Sequence, residues 1–217
     1  MFVIYDTEYV LDKGLFEAPE DYRESFIAGA LKNHPEIIQI AAIKVGDDLE
    51  VADKFNAYCR LKLHPGVRKY FSDLTGIADG FLAKNGTDFP SAYDDFKRFS
   101  AGLAAYSNNI KDHADPVADG NIMRATLSIH RPLPDESEPE YKNIGAWFHA
   151  EFVRRGLAPS GAMKGHIMSG ELAKYFDAEE EISRLGLDLG GTHGAHNAFY
   201  DVYSILVGLR KLGFRHP

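Results

Sequence analysis

Asp6 and Glu8 stand two apart in FVIYDTEYV, residues 2–10, a run whose other members are mostly the branched and aromatic residues that fill a buried strand. Positions i and i+2 of a strand project to one face, so the two carboxylates lie side by side with Thr7 turned away. Their repulsion is relieved by protonation of one, by pairing with Arg or Lys, by a hard divalent cation such as Mg²⁺, or by simple exposure at a sheet edge. Of these, the cation turns the pair into a catalyst. Far along the chain, HNAFYD sets His196 five residues ahead of Asp201 at the start of an amphipathic segment. A carboxylate in a first helical turn points at whatever packs above it, and a His just before the helix can swing over the same spot. This supplies a third acid and a group that titrates near neutrality. The competing reading is a His that decorates a helix cap and an Asp on a solvated face.

These groups need elements to hold them. Strand-like runs occur at Phe2–Tyr9, Glu36–Val45 and about Val51–Leu63. Residues 11–35 exceed what a hairpin needs and read as an insertion holding a short helix that stops before Pro35. From Ser91 the apolar residues Ala92, Phe96, Phe99 and Leu103 recur at helical spacing, with SAYD as the expected N-terminal cap. A short strand is expected near Pro116–Ala118, then helices over Gly120–His130 and Asn143–Arg155, the latter closed by Gly156. SGELAKYFDAEEEISRLGL and HNAFYDVYSILVGLRKLG read as two more helices. No repeat or linker divides the chain, so residues 1–217 are expected to form one domain of α/β or α+β layers around one sheet.

The net charge of −8 argues against a protein that coats nucleic acid through many Lys and Arg, without excluding nucleic acid as substrate. The longest apolar run, Ile37–Val45, is too short to cross a bilayer. With no secretory signal at the N-terminus and a single cysteine, Cys59, the expected location is the cytoplasm.

Several motifs in order resemble the DEDDh 3′-to-5′ exonucleases of the RNase T and polymerase-proofreading superfamily. YDTE matches the first exonuclease motif, EIIQIAAIKV looks like the strand that follows it, YFSDLTGI is similar to the turn after the third strand, and His196-x₄-Asp201 matches the third motif. The family takes a further acid from a strand-then-helix junction; VADGNIM offers Asp119, with Met123 four residues on, and Asp115 as the alternative register. Family spacing selects His196 over the nearby His193.

The resemblance implies a ribonuclease H-like mixed central sheet flanked by helices. It implies two divalent cations, Mg²⁺ or Mn²⁺, held by Asp6, Glu8, Asp119 and Asp201, with Asp6 bridging them and Glu8 reaching the 3′-terminal hydroxyl. His196 would take the proton of the attacking water, and nucleoside 5′-monophosphates would leave the 3′ end of single-stranded DNA or RNA. Thr7, Tyr9 and Val10 are expected to contact substrate, with Phe16 and Phe26 completing a wall for base stacking. Some relatives of this type are dimers, so a homodimer is the expected assembly to test. The alternatives are a binding module with residual acids and a phosphodiesterase for small nucleotides.

Overall fold

The computed structural model describes residues 1–11, 35–108, 118–130, 138–157, 167–185, 187 and 195–216. Phe16, Phe26, Asp115 and His193 lie outside them.

Three segments rich in Val, Ile, Ala and aromatic residues pair antiparallel: β1 (Phe2–Val10), β2 (Glu36–Val45) and β3 (Val51–Tyr58). Two four-residue strands, β4 (Ala104–Ser107) and β5 (Glu140–Asn143), complete a sheet of order β3-β2-β1-β4-β5. β4 runs parallel to β1, and β5 parallel to β4. The sheet is mixed, as the resemblance implies.

β1 is buried on both faces, which explains its greasy sequence. Its even residues Phe2 and Ile4 pack with the long C-terminal helix Ala198–Leu212 and with Gly145–Arg154; its odd residues Val3 and Tyr5 pack with Phe89–Ser100 and Ala118–His130. In chain order the helices are α1 (Lys69–Thr75), α2 (Asp79–Asn85), α3 (Phe89–Ser100), α4 (Ala118–His130), α5 (Gly145–Arg154), α6 (Leu172–Tyr175), α7 (Glu179–Ser183) and α8 (Ala198–Leu212), with a 3-10 turn at Ser169–Glu171 before α6. Among the described residues, no helix is long and apolar enough to cross a membrane.

Several expected elements move. β3 stops at Tyr58 rather than Leu63. Cys59 donates to the Ile38 carbonyl and forms an isolated bridge to Thr87, and the buried carboxylate of Glu36 then captures the amides of residues 62–64. The LTGI stretch is more than a turn: α1 ends at Gly76, whose φ of 71° closes the helix in the left-handed conformation. The cap of α3 is Asp88, whose side chain accepts from the Ser91 amide, so Pro90 falls in the first turn and SAYD is already helix.

The periodicity read through Leu103 breaks at Gly102, with φ of 74°, and β4 begins two residues later. The strand expected near Pro116–Ala118 is not found at Ala118, which is the first residue of α4; the other two positions lie outside the described residues. The expected helix at 169–187 is interrupted: Phe176–Ala178 separates α6 from α7, with Asp177 held at a φ of 52°.

Candidate active site

β1 alternates regularly through Glu8, so Asp6 and Glu8 share the face that packs under α8. Asp6 lies opposite Ala41 and Glu8 opposite Gln39, and a bulge immediately after Glu8 leaves Ile38 of β2 without a partner on β1. Bulges of this kind re-aim side chains and recur beside active sites.

The start of α8 is fixed by a buried amide network. Asn197 caps the helix, its Oδ1 accepting from the amides of Phe199 and Tyr200 at 3.0 and 3.4 Å. Gln39 then locks the cap: its Oε1 accepts from the Ala198 amide at 3.1 Å, while its Nε2 donates to Asn197 Oδ1 at 3.3 Å and to Asn56 Oδ1 at 2.9 Å. Both amide hydrogens and the carbonyl of Gln39 are thereby used. The same strand pair that carries Glu8 therefore also sets the helix that carries Asp201.

Asp6, Glu8 and Asp201 meet with ligand oxygens all within 4.8 Å of one another. Asp6 and Asp201 are buried and Glu8 is half-buried. Burial is the main force pushing all three pKa values up, and mutual repulsion adds to it: Asp119, Asp201 and Glu8 act on Asp6, while Asp201 and Asp119 act on Glu8. Asp201 is pushed up to about 8 by burial and by Asp119, against a hydrogen bond from the His196 backbone that favours its charged form. Its Oδ1 is buried with no hydrogen-bond partner.

Three converging hard oxygens, one of them orphaned and all carrying charge that burial opposes, fit a divalent cation of the Mg²⁺ class. Asp119 adjoins them from the other side of β1. It sits at the second residue of α4, buried, and its Oδ1 accepts from Thr7 Oγ1 at 2.9 Å. Its charge reaches all three carboxylates, although its oxygens fall outside the tight trio.

His196 precedes the Asn197 cap with a φ of 68°, a left-handed conformation that costs a side-chain-bearing residue about 1 kcal/mol or more. Its imidazole keeps an exposed side, yet partial desolvation outweighs the nearby Glu171 carboxylate and lowers its pKa. The imidazole is therefore neutral at physiological pH and able to accept a proton.

Of the expected substrate contacts, Thr7 has its hydroxyl committed to Asp119, and the Val10 side chain is sealed in the core. Tyr9 is half-buried, its phenol pushed up by burial and by Asp119, Glu8 and Asp6. Gln39, Asn197 and Gly170 are contributors that sequence reasoning missed. A Cβ built on Gly170 would lie 2.5 Å from Asp201 Oδ1 and 2.5 Å from the Ala195 Cβ, so only glycine lets the 3-10 turn close against that carboxylate. The polar residues within otherwise apolar EIIQIAAIKV were the available signal for Gln39; Gly170 had none.

A family model described as exonuclease, of the RNase T type, matches residues 3–129. The chain belongs to this exonuclease family. Asp6, Glu8 and Asp119 lie within the matched segment, while His196 and Asp201 lie beyond it; Asp201 enters the site from the first turn of α8, and the backbone of His196, just before that helix, donates to it.

Solved structures agree on the fold. The nuclease domain of 3′hExo, a DEDDh family member bound to rAMP, is 17% identical with a TM-score of 0.59, covering 98% of this chain and 91% of that one. Cell-death related nuclease 4 (CRN-4) is 21% identical with a TM-score of 0.60, covering 97% and 62%. E. coli exonuclease I in complex with an oligonucleotide is 13% identical with a TM-score of 0.59, covering 96% of this chain and 39% of that one. The chain thus spans about two-fifths of the exonuclease I chain. No curated protein sequence matches it. The expected ribonuclease H-like α/β fold and membership of the RNase T-type exonuclease family are the ones found.

Proposed function

We propose that this chain is a 3′-to-5′ exonuclease that removes nucleoside 5′-monophosphates from the ends of single-stranded DNA or RNA. The observation that carries the reading is the convergence of Asp6, Glu8 and Asp201 on one buried spot, with an oxygen of Asp201 left unpartnered. Asp6, Glu8 and Asp201, with Asp119 alongside, would hold the divalent cations. Divalent cations held there would supply an activated water as nucleophile and charge stabilisation at the phosphate and the departing oxygen.

The chain's own residues supply the rest. His196, kept neutral by partial desolvation, accepts the proton of the attacking water. Its backbone, twisted into the left-handed region, donates to the Asp201 carboxylate, so the base and the acid are held in fixed relation. Thr7 anchors Asp119 from the opposite face of β1. Half-buried Tyr9, next to Glu8, offers a ring edge to the terminal base, and stacking of this kind suits any base.

The test is incubation of 5′-labelled single-stranded DNA and RNA 20-mers with Mg²⁺, Mn²⁺ or EDTA, beside the Asp6→Asn/Glu8→Gln variant. A metal-dependent ladder shortening from the 3′ end, lost in the variant, is the expected result. Intact oligomers in every lane with a folded wild-type protein would overturn it in favour of a binding module. Faster cleavage of a mononucleotide ester than of the oligomers would replace it with a small-nucleotide phosphodiesterase.

A further inference from the structure

We propose that the stretch Arg60–Tyr70, the loop that leads into α1 together with the first residues of that helix, is the track along which the single-stranded polynucleotide lies upstream of its terminal nucleotide, an inference that rests on the exonuclease reading above. In a chain of net charge −8, the stretch RLKLHPGVRKY carries Arg60, Lys62, Arg68 and Lys69 and no acid. All four side chains are exposed. Between them Leu63 and Tyr70 stand 52% and 54% exposed, which is unusual for large apolar groups in a protein that buries most of its own. Cations interleaved with apolar and aromatic surface suit a polymer of phosphates and bases.

The loop is built as a rigid platform. Glu36, only 1% exposed, spends both carboxylate oxygens on three successive amides, those of Lys62, Leu63 and His64, at 2.7, 2.8 and 2.6 Å. Asp79 accepts from the Val67 amide at 2.7 Å and pins the second half. A carboxylate is buried at a cost that only such a set of donors offsets, and here the return is a fixed presentation of the basic side chains. Two contacts of these side chains, Lys69 with Asp73 and Lys62 with the Ile129 carbonyl, are exposed and yield readily to phosphate.

The loop also lies at the right end of the sheet. Glu36 is in register with Val10, two residues beyond Glu8 on β1, so the platform begins at the strand end that holds the carboxylates. A phosphate chain nearing four acids meets repulsion everywhere except at bound cations. A basic platform beside them supplies the missing attraction and keeps the long part of the polymer off the acids.

The test compares Arg68→Ser/Lys69→Ser with a charge-matched control, Arg98→Ser/Arg154→Ser. The control residues are exposed at the C-terminal ends of α3 and α5; α3 leads into the start of β4 and α5 leaves the end of β5, so both helices run away from the carboxylates. For each protein, kcat/KM is measured on a single-stranded 20-mer and on the p-nitrophenyl ester of thymidine 5′-monophosphate, across a salt series.

The expected result is a fall of roughly tenfold in the ratio of 20-mer to ester kcat/KM for the loop variant, with a salt slope shallower by about 0.7 per lost phosphate contact, and neither change in the control. An unchanged ratio and slope in the loop variant, or equal changes in both variants, would overturn the proposal while leaving the exonuclease reading intact. If wild type cleaves neither substrate, the exonuclease reading has failed. Fluorescence anisotropy of the labelled 20-mer then decides the track alone: weaker binding by the loop variant than by the control upholds it, and equal binding, or a preference for an acidic peptide over the oligomer, rejects it.

Discussion

Asp201 is a carboxyl group held where charge is costly, and Gly170 is the residue that presses on it. Asp201→Asn keeps the shape and removes one ligand charge; turnover on an oligonucleotide should fall by ~10³-fold or more, since groups that act as a unit fail together. Gly170→Ala places a methyl 2.5 Å from Asp201 Oδ1, so carboxylate and turn must move apart. The expected outcome is a loss of about 10–100-fold in kcat, as misplacement of a catalytic group by an ångström produces, read by steady-state kinetics with circular dichroism to confirm the fold. The acids were legible in the sequence because their grouping is local: a period of two joins Asp6 to Glu8, and the helix start joins His196 to Asp201. Gly170 was not, because its role is defined by what packs against it from α8, and no local pattern encodes that.

At the level of elements, the start of α8 decides whether the two halves of the site meet. Asn197→Ala removes a cap that satisfies two helix amides and receives Gln39. Stability in urea should fall by about 1–2 kcal/mol. Gln39→Glu should be worse for function than for folding: a carboxylate cannot donate to Asn56 and Asn197, and it adds negative charge on the strand opposite Glu8. A rise of at least about tenfold in the Mn²⁺ concentration for half-maximal activity would show this, in line with the loss of groups that orient metal ligands. The long elements were readable because β1, β2 and α8 have runs long enough to show a period. β4 and β5, at four residues each, have none: β4 went unread beyond the helical pattern that ended at Leu103, and Asn143, the last residue of β5, was read as the start of a helix. Asp88 was overlooked as a cap because Ser91, three residues on, offered a similar signature.

For the whole molecule, the crowded acids couple stability to pH. The Asp201 pKa rises from an ordinary 3.8 to about 8 on folding, and those of Asp6 and Glu8 rise with it. Between those limits the native state holds protons that the unfolded chain has released. The contribution is complete below the unfolded value and is lost as pH climbs through the folded one. In EDTA the melting temperature should therefore decline from pH 5 to pH 8, and Asp201→Asn should flatten the decline. Mn²⁺ should reverse it, raising the melting temperature at pH 8 by roughly 5–10 °C at a hundredfold excess over its dissociation constant and by less at pH 5, where protons compete for the same oxygens. Differential scanning fluorimetry across pH, with and without metal, checks both.

The ligands of this trio are also far apart in the order of synthesis. Asp201 is made nearly two hundred residues after Asp6 and Glu8. Until the segment that becomes α8 has emerged and docked on β1, a nascent chain holds only part of its acid set. On the proposed reading, the growing polypeptide is held back from cutting nucleic acid over the whole stretch of elongation from β1 to α8, protected by the sequence distance that its sheet later closes.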